Sequence, residues 1–295
     1  SDVYKRQENH IVIPKHGDLI TDMYLHVDFP SVISNVLDSV GTLMFQYVEL
    51  YIGGELIERL YGEFIEMKFD IEITKGKQPA LSALVGKNLQ FRPTPNATYT
   101  VPLRFSCFKK GLPLCAFEDA VTFRIVWNPT ATFTSPPVTV TTPFNSYLAI
   151  EYTYLSKNEA ALIKSANPRR LLLEQVQLNQ FTIPYGTTNA RCFLQFYNPV
   201  KELFFVFQND SALGYDYSVN ATSASTSIGK GDILSNLELN FNTTDRISYN
   251  IGSAQFLGII QPLEFHTRVP DRIFYMYSFS LDPENDTPTG SVNLS

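Results

Sequence analysis

Residues 263–295 read LEFHTRVPDRIFYMYSFSLDPENDTPTGSVNLS, and they contain a clear strand pattern around which the rest of the chain can be interpreted. From residue 272 to 281 successive side chains alternate between two faces, and their aromatic and β-branched content is typical of a strand packed on at least one face. One face carries Ile273, Tyr275, Tyr277, Phe279 and Leu281. Pro283 and its Asx neighbours end the strand, because proline fixes φ and Asx side chains bond their own backbone. Alternation resumes at residues 291–294, so we expect a further strand that is cut short at residue 295.

The composition extends this β character to the whole chain. Of 295 residues, 13% are aromatic, and prolines (18) outnumber glycines (15). Short aromatic and β-branched runs separated by Pro, Asn and Thr favour an all-β sandwich or barrel. A chain of this length accommodates two domains and buries a core large enough to fold without a disulfide or metal.

Alternating patterns predict strands along most of the sequence, and two stretches at helical spacing predict helices over 61–73 and 78–85. A Gly-Gly pair at 53–54 predicts a hairpin, and a Ser-x-x-Glu capping box at 156–159 predicts a third helix. The predicted strands cover 11–13, 19–29, 43–52, 55–60, 99–108, 121–127, 147–155, 171–181, 191–196, 201–208, 234–241 and 272–281.

A charge-free segment rich in Thr and Pro, residues 129–143, indicates a linker. It predicts a domain boundary near residue 142, with a first domain over 8–141 and a second over 142–295. Residues 1–7, SDVYKRQ, resemble the translation of a sequencing adapter. We therefore expect a non-native tail there and exclude it from the fold.

Charge and hydropathy exclude several classes of function. The net charge is −6 and the pI about 5.3, whereas a general nucleic-acid surface needs a basic stripe. No apolar run approaches the ~18 residues of a membrane helix, and no signal peptide is visible.

The three cysteines, Cys107, Cys115 and Cys192, show no CxxC spacing. They are read as reduced thiols packed in a core, which fits assembly in the cytosol. Six Asn-x-Ser/Thr sequons are attributed to the turn-rich composition rather than to glycosylation. They begin at Asn96, Asn209, Asn220, Asn242, Asn285 and Asn293.

The search for catalytic chemistry finds no strong motif. Glu63, Glu66 and Asp70 could pair as catalytic acids, but this spacing is more typical of the solvated face of a helix. His10, His16, His26 and His266 form no metal-binding pattern, and His26 is read as a satisfied or surface residue. The pair at 169–170, Arg-Arg, is read as a solvated helix end. No P-loop, GxGxxG or GxSxG is present.

Five segments, in order, resemble the major capsid proteins of the nucleocytoplasmic large DNA viruses, the iridovirus, phycodnavirus and mimivirus group. They are IPKHGDL (13–19), VELYIGGELIERLYG (48–62), VPLRFSCFKKGLPLCAF (101–117), NPVKELFFVFQ (198–208) and YSFSLDPENDTPTGSVN (277–293). Departures are small: Asn198 directly precedes Pro199, Phe205 stands where Trp is commoner, and Cys107 and Cys115 occupy usually apolar sites.

The resemblance implies an all-β fold of two tandem jelly-roll β-sandwiches with short helical insertions. It implies homotrimers with a pseudo-hexagonal outline that tile an icosahedral virion shell next to neighbouring capsomers and minor capsid proteins. It implies no catalysis, no cofactor and no metal, no direct contact with nucleic acid, and a shell that an inner membrane layer can separate from the genome. It also implies further strands before residue 8 and after residue 295.

Two alternatives stay open at this point. A β-sandwich that binds carbohydrate or processes glycosides would need exposed aromatic side chains on a concave face or two suitably spaced carboxylates. A minor or penton-like capsid component would differ in copy number. For a capsid tile, we expect loops 88–98 and 209–227 to include an outer surface, because loops vary without disturbing a core.

Overall fold

The computed structural model describes residues 8–29, 36–87, 98–139, 144–166, 171–210, 212–217, 232–241, 244–248, 251–285 and 287–294. Strands dominate, and the helices are short. The strands are β1 (Glu8–Ile13), β2 (Leu19–Asp28), β3 (Phe45–Ile52), β4 (Glu55–Tyr61), β5 (Thr98–Pro102), β6 (Val121–Trp127), β7 (Asn145–Thr153), β8 (Glu202–Phe205), β9 (Leu239–Phe241), β10 (Thr244–Ile247) and β11 (Tyr275–Ser278). The helices are α1 (Val40–Leu43), α2 (Gly62–Glu72), α3 (Gln78–Val85), α4 (Thr130–Phe133), α5 (Lys157–Ser165) and α6 (Gln261–Phe265).

The chain divides into two compact units. Unit 1 comprises residues up to Lys68, Lys75–Val176 and Leu213–Tyr215, and unit 2 comprises Phe69–Thr74, Gln177–Ala212 and Asp216–Ser295. Each unit has its own strands and its own buried apolar residues.

The larger sheet of unit 1 has the order β1-β6-β3-β4, with every neighbouring pair antiparallel. The predicted Gly-Gly hairpin joins β3 to β4, and Gly53 and Gly54 both have positive φ, 60° and 85°. Two successive residues with positive φ match the right-handed twist of the strands that they connect, which is why glycine is favoured there. The hairpin prediction is confirmed.

A second sheet of unit 1 has the order β5-β2-β7. Its central strand, β2, buries Met23, Leu25 and Val27 at alternating positions, as the period-two pattern predicts. Since each sheet of unit 1 buries one apolar set, the unit has the two-sheet organisation that a β-sandwich requires.

The three predicted helices form where the sequence places them. Gly86 follows α3 in the left-handed conformation, with φ 75°, which ends the helix without a Cβ clash. The capping box of α5 is complete, because the Ser156 side chain accepts from the Glu159 backbone N–H and the Glu159 carboxylate accepts from the Ser156 backbone N–H. No residue of α5 is buried, so local capping rather than core packing defines this helix.

Strand β7 lies in unit 1, although it follows the boundary expected near residue 142. It pairs with β2 from Leu19↔Thr153 to Asp28↔Asn145. Unit 1 then continues to Val176. A segment without charge and rich in proline makes a surface connection within a domain as readily as between domains.

Two other expectations differ from the structure. Residues 171–181 and 191–196 form no strand, and β5 ends at Pro102 instead of continuing to residue 108, where a 3₁₀ turn (Ser106–Phe108) follows. In unit 2, side-chain amides replace a backbone ladder: Asn179 Nδ2 donates to the Gln195 carbonyl at 3.1 Å, and the Tyr197 N–H donates to Gln177 Oε1 at 2.9 Å. The residue types alternate in both segments, but the backbone strand pairing that this alternation predicts does not form between them.

In unit 2, β11 pairs with β8 and β10 pairs with β9, both antiparallel. Tyr275 and Met276 are both fully buried, so β11 packs on two faces and its prediction as a strand is confirmed over Tyr275–Ser278. A π-helical turn (Phe256–Ile260) leads directly into α6. Val292 forms an isolated bridge with Val200, where the sequence predicts the first residues of another strand.

Several sequence-based expectations fall outside the described residues. These are most of the two loops expected on an outer surface, the Arg-Arg pair, and three of the sequons. They occupy residues 88–97, 218–231 and 169–170 and the positions of Asn96, Asn220 and Asn242.

Candidate assembly surfaces and buried ionic clusters

Two kinds of site can be assessed in the part of the chain that the structure describes: a group of metal-ligating side chains and a membrane-spanning helix. Across those residues, no three His, Cys, Asp or Glu side chains are grouped closely enough to hold a metal ion. Within the same ranges, no helix combines the length and the apolar character needed to cross a bilayer. The chemistry of the molecule lies instead in buried ionic clusters and in exposed apolar side chains.

The predicted solvated face of α2 is wrong for two of its three acids. Glu66 and Asp70 are both fully buried, and Glu63 is partly exposed. Sequence spacing identifies the face of a helix on which the acids lie, but it does not show whether cations from elsewhere in the chain cover that face. Each of the two buried carboxylates is paired with such a cation, so neither is available as a general acid or base.

Glu66 is held in unit 1 by one cation and two hydroxyl groups. Lys87 Nζ lies 3.2 Å from Glu66 Oε1, and the lysine is itself only 5% exposed. Ser39 Oγ donates to Oε1 at 2.8 Å, and Thr42 Oγ1 donates to Oε2 at 3.1 Å. Ser39 adopts φ 57°, the left-handed conformation. The carboxylate therefore links α1, α2 and the residue that follows the end of α3.

Asp70 is held in unit 2. Its Oδ2 accepts from the backbone N–H groups of Asp271 (2.8 Å) and Arg272 (3.0 Å), and its Oδ1 lies 3.3 Å from Arg268 Nη2. Arg268 also pairs with the Asp271 carboxylate. This cluster fixes the backbone at residues 268–272, just before β11.

A third buried acid, Glu49, lies in the middle of the larger sheet. Its register partners are Arg59 on β4 and Arg124 on β6. The carboxylate accepts from Arg59 Nε at 2.6 Å and from Arg124 Nη1 at 2.9 Å, and Arg124 continues to Glu8 at 2.7 Å. Opposite charges directly across strands stabilise pairing and fix register, so these residues form a cross-strand ladder of alternating charge.

Glu58 in unit 1 is buried and accepts three hydrogen bonds from Ser106. The Ser106 N–H lies 3.0 and 2.8 Å from the two carboxylate oxygens, and Ser106 Oγ donates at 2.8 Å. Burial raises the pKa of Glu58 to about 7, because desolvation of the carboxylate outweighs these hydrogen bonds. Ser106 Oγ also accepts from the Glu174 N–H at 2.9 Å, so the acid supports the attachment of the chain beyond α5.

The raised pKa of Glu58 makes the stability of unit 1 depend on pH. The folded unit binds this proton more tightly than the unfolded chain, so the contribution is complete below about pH 4.5 and is lost as the pH rises through about 7. We expect Glu58→Gln to remove this loss, so that the stability difference between wild type and variant shifts by on the order of 2–3 kcal/mol between pH 5 and 8. Urea titrations that follow the fluorescence of Trp127, the single tryptophan, measure it. Parallel pH profiles of the two proteins would contradict the assignment.

The cysteines have three different environments. Cys107 is buried, and burial raises the pKa of its thiol well above the ordinary value. Cys115 is partly buried, and Cys192 is exposed. All three are free thiols. The predicted core packing describes Cys107 and not Cys192.

The histidines separate into exposed or satisfied residues and one buried residue. His10 and His16 are exposed, and His26 stacks on Tyr147 and bonds Thr100 Oγ1 at 2.8 Å, as expected for a satisfied residue. The side chain of His266, which follows α6 in unit 2, is fully buried: Nε2 lies 2.8 Å from Glu202 Oε1, and Nδ1 lies 3.0 Å from Glu284 Oε1. Sequence reasoning missed this arrangement, because its three members are far apart in sequence.

Unit 2 also carries an unusual group of exposed apolar side chains on the two segments that lack a backbone ladder. The four most exposed of these side chains are 57–107% exposed, and they lie on or next to both segments and on the turn between them. The exposed members are Leu178, Phe181, Ile183, Tyr185, Phe193 and Tyr197; we call them the unit 2 apolar surface. Large exposed apolar side chains on two neighbouring segments are candidates for a surface that another molecule covers.

Two family models match the chain in succession. Residues 1–159 match the model described as "Major capsid protein N-terminus", and residues 163–295 match "Large eukaryotic DNA virus major capsid protein". A "Major capsid protein" of Phaeocystis pouchetii virus is 22% identical over 96% of this chain and 80% of its own length. A "Probable capsid protein 4" of Acanthamoeba polyphaga mimivirus is 29% identical over 51% of this chain, which is 30% of that protein. In solved structures, the "PBCV-1 virus capsid, quasi-atomic model" matches with a TM-score of 0.77 and 20% identity over 98% of this chain and 77% of that chain.

Proposed function

This chain belongs to the major capsid protein family of large eukaryotic DNA viruses, and from that membership we propose that it acts as a trimeric, pseudo-hexagonal tile of an icosahedral shell. The observation that carries the proposal is the succession of two family matches over nearly the whole sequence. The fold class expected from the sequence, all-β with two tandem jelly rolls and short helices, is confirmed by the structural relatives. The protein is a structural component of the virion.

The proposal includes the partners and the place of assembly. The tile associates with two further copies of itself and with neighbouring capsomers, and minor capsid proteins and a membrane lie beneath the shell. Assembly takes place in the host cytoplasm. The net charge of −6 supports a tile that does not bind the genome directly. We also propose the domain division expected from the sequence, modified so that β7 belongs to the first jelly roll.

The protein is proposed to have neither catalytic activity nor a cofactor. Glu66 is engaged with Lys87, and Asp70 with Arg268, which argues against the acid pair that a glycoside-processing β-sandwich would use. That alternative keeps a simple test, since glycosidase activity that disappears on changing Glu63 or Glu66, or a clear hit on a glycan array, would favour it.

We propose that the unit 2 apolar surface contacts another copy of this chain within the trimer. Large aromatic and aliphatic side chains are the residues that dominate protein interfaces. On an isolated chain they are in water and contribute little to folding. Side chains that are both large and exposed allow a role in assembly to be distinguished from a role in folding. The two roles predict different effects of the same substitution on association and on the free energy of unfolding.

The double substitution Leu178→Ser with Phe193→Ser is expected to weaken trimer formation at least about tenfold, while the free energy of unfolding changes by less than about 1 kcal/mol. Sedimentation velocity over a concentration series measures the first quantity, and urea unfolding measures the second. Leu162→Ser is the matched control, because Leu162 on α5 is 70% exposed but lies outside the unit 2 apolar surface. Equal weakening by the control, or unchanged association of the double variant, would contradict the assignment.

A further inference from the structure

We propose that Glu202, His266 and Glu284 form a proton-dependent clamp in unit 2. While the His266 imidazole is charged, the clamp holds the loop after β11 and the end of α6 on β8. When the imidazole loses a proton, the clamp releases both segments. The inference rests on the geometry of these residues and goes beyond the capsid role. It concerns the conformation of unit 2 in any state of assembly.

The two carboxylates that flank the buried ring favour the charged form of His266. Each nitrogen of His266 lies within 3.0 Å of a carboxylate oxygen, Nε2 with Glu202 and Nδ1 with Glu284. Nδ1 is hydrogen-bonded to Glu284, whereas Nε2 lies at ion-pair distance from Glu202 without hydrogen-bond alignment. A neutral imidazole has one N–H and one lone pair, so in that form one nitrogen would lie beside a carboxylate oxygen with no proton and no positive charge to balance it. Only the imidazolium carries a proton on both nitrogens. The side chain of His266 is fully buried and that of Glu202 is 5% exposed, so water does not relieve the conflict.

The second acid is held ionised by a dense set of donors. Glu284 Oε1 accepts from His266 Nδ1 and from the Thr267 N–H at 2.8 Å, and Oε2 accepts from Thr267 Oγ1 at 2.6 Å. Burial alone would raise the pKa of Glu284, but the hydrogen bonds from His266 and Thr267 together outweigh it and lower the pKa to about 2. The carboxylate therefore stays available as an acceptor at any pH near neutrality.

The three residues join segments that are distant in sequence. Glu202 begins β8 and is the register partner of Ser278 on β11. His266 directly follows α6, and its backbone N–H donates to the Pro262 carbonyl at 3.0 Å. Glu284 lies in the loop after β11. One additional bond, from Lys201 Nζ to the Pro283 carbonyl at 2.6 Å, ties the same loop to the start of β8.

The sign of the pH dependence follows from these contacts. The acids that contact the imidazole are Glu202 from β8 and Glu284 from the loop. Of the cations close to these residues in sequence, Lys201 bonds the Pro283 carbonyl, and Arg268 pairs with the Asp70 and Asp271 carboxylates. The part of the clamp that depends on Glu284 is present above about pH 4.5 and is lost only as the pH falls toward about 2. The part that depends on the imidazolium is present at lower pH and is lost as the pH rises and the proton leaves.

The first test is the protonation state of His266 in the intact chain. Nitrogen-15 NMR at pH about 7.5, where an unperturbed imidazole is mostly neutral, should show both ring nitrogens of His266 protonated. A neutral single tautomer at this pH would overturn the proposal, and this measurement needs no variant that must fold.

The second test is hydrogen exchange measured by mass spectrometry and corrected for the intrinsic effect of pH. In wild type, exchange at 264–267 and 282–285 should accelerate at least about tenfold between pH 6 and 9, a change that a linked proton of this kind can produce. His266→Gln should exchange rapidly at both pH values, and Glu202→Gln should lose most of the step while leaving the rest of unit 2 protected. His16→Gln, which changes an exposed histidine, is the control and should match wild type. The same pH step in His266→Gln as in wild type would overturn the clamp.

Discussion

Replacing Lys87 by methionine is expected to lower the free energy of unfolding of unit 1 by about 3–5 kcal/mol. The substitution keeps most of the side-chain volume but removes the cation that lies 3.2 Å from Glu66. Glu66 is fully buried, so its negative charge would be left without this partner in a low-dielectric interior. The cost of an uncompensated buried charge is much larger than the modest net value of the original pair. Trp127 lies on β6 in unit 1, and its fluorescence during urea unfolding reports this unit.

A second substitution distinguishes the electrostatic explanation from lost packing. If the charge on Glu66 causes the loss, Glu66→Gln combined with Lys87→Met should recover at least half of it, because one of the Ser39 and Thr42 hydroxyls can still donate to the amide oxygen and the other can accept from the amide NH2. If the double variant is as unstable as Lys87→Met or worse, the loss comes from packing of the lysine stem, and the account of this cluster is wrong.

Gly62→Ala is the second substitution with a large expected effect, at least about 3 kcal/mol in unit 1. A Cβ atom on Gly62 would lie 2.1 Å from the Thr42 carbonyl oxygen and 2.9 Å from the Phe45 carbonyl oxygen. Both are backbone atoms, so relief requires movement of α1 or β3 relative to the start of α2, and a rotamer change cannot supply it. The close approach explains why glycine follows Tyr61 at the end of the second matched segment.

The control for this substitution is Gly76→Ala. A Cβ atom at Gly76 would meet no heavy atom within 4 Å, so the change tests only the general effect of replacing glycine by alanine, which is small. The same Trp127 fluorescence measurement serves both variants. Equal stability of Gly62→Ala and Gly76→Ala would show that α2 can shift freely, and would contradict the close packing described for unit 1.

Local patterns predict local structure well in this chain. Period-two alternation places β2 and β6, helical spacing places α2 and α3, and the capping box places α5. In each case the sequence pattern lies within about a dozen consecutive residues, and packing against a single neighbouring surface is enough to accommodate it. The matched family segments add the tandem arrangement, which no local pattern contains.

Properties that depend on distant residues could not be predicted in this way. The burial of Glu66 depends on Lys87, and the clamp at His266 depends on Glu202, 64 positions earlier (266 − 202). Residues 171–181 alternate like a strand but lie where no backbone ladder forms, because alternation describes one strand and not its neighbour. Several acids of the matched segments, including Glu49, Glu58 and Glu284, turn out to hold buried contacts, so these motifs specify a structure rather than a catalytic site.

Quantitative mass spectrometry of purified virus particles tests whether this chain is the major structural protein of a virus shell, because copy number separates a major tile from a minor vertex component and from a protein that is not in the particle. We expect peptides from residues 8–295 to belong to the most abundant protein of the particle. Their absence from purified particles, or an abundance that corresponds to a few copies at the vertices, would contradict it.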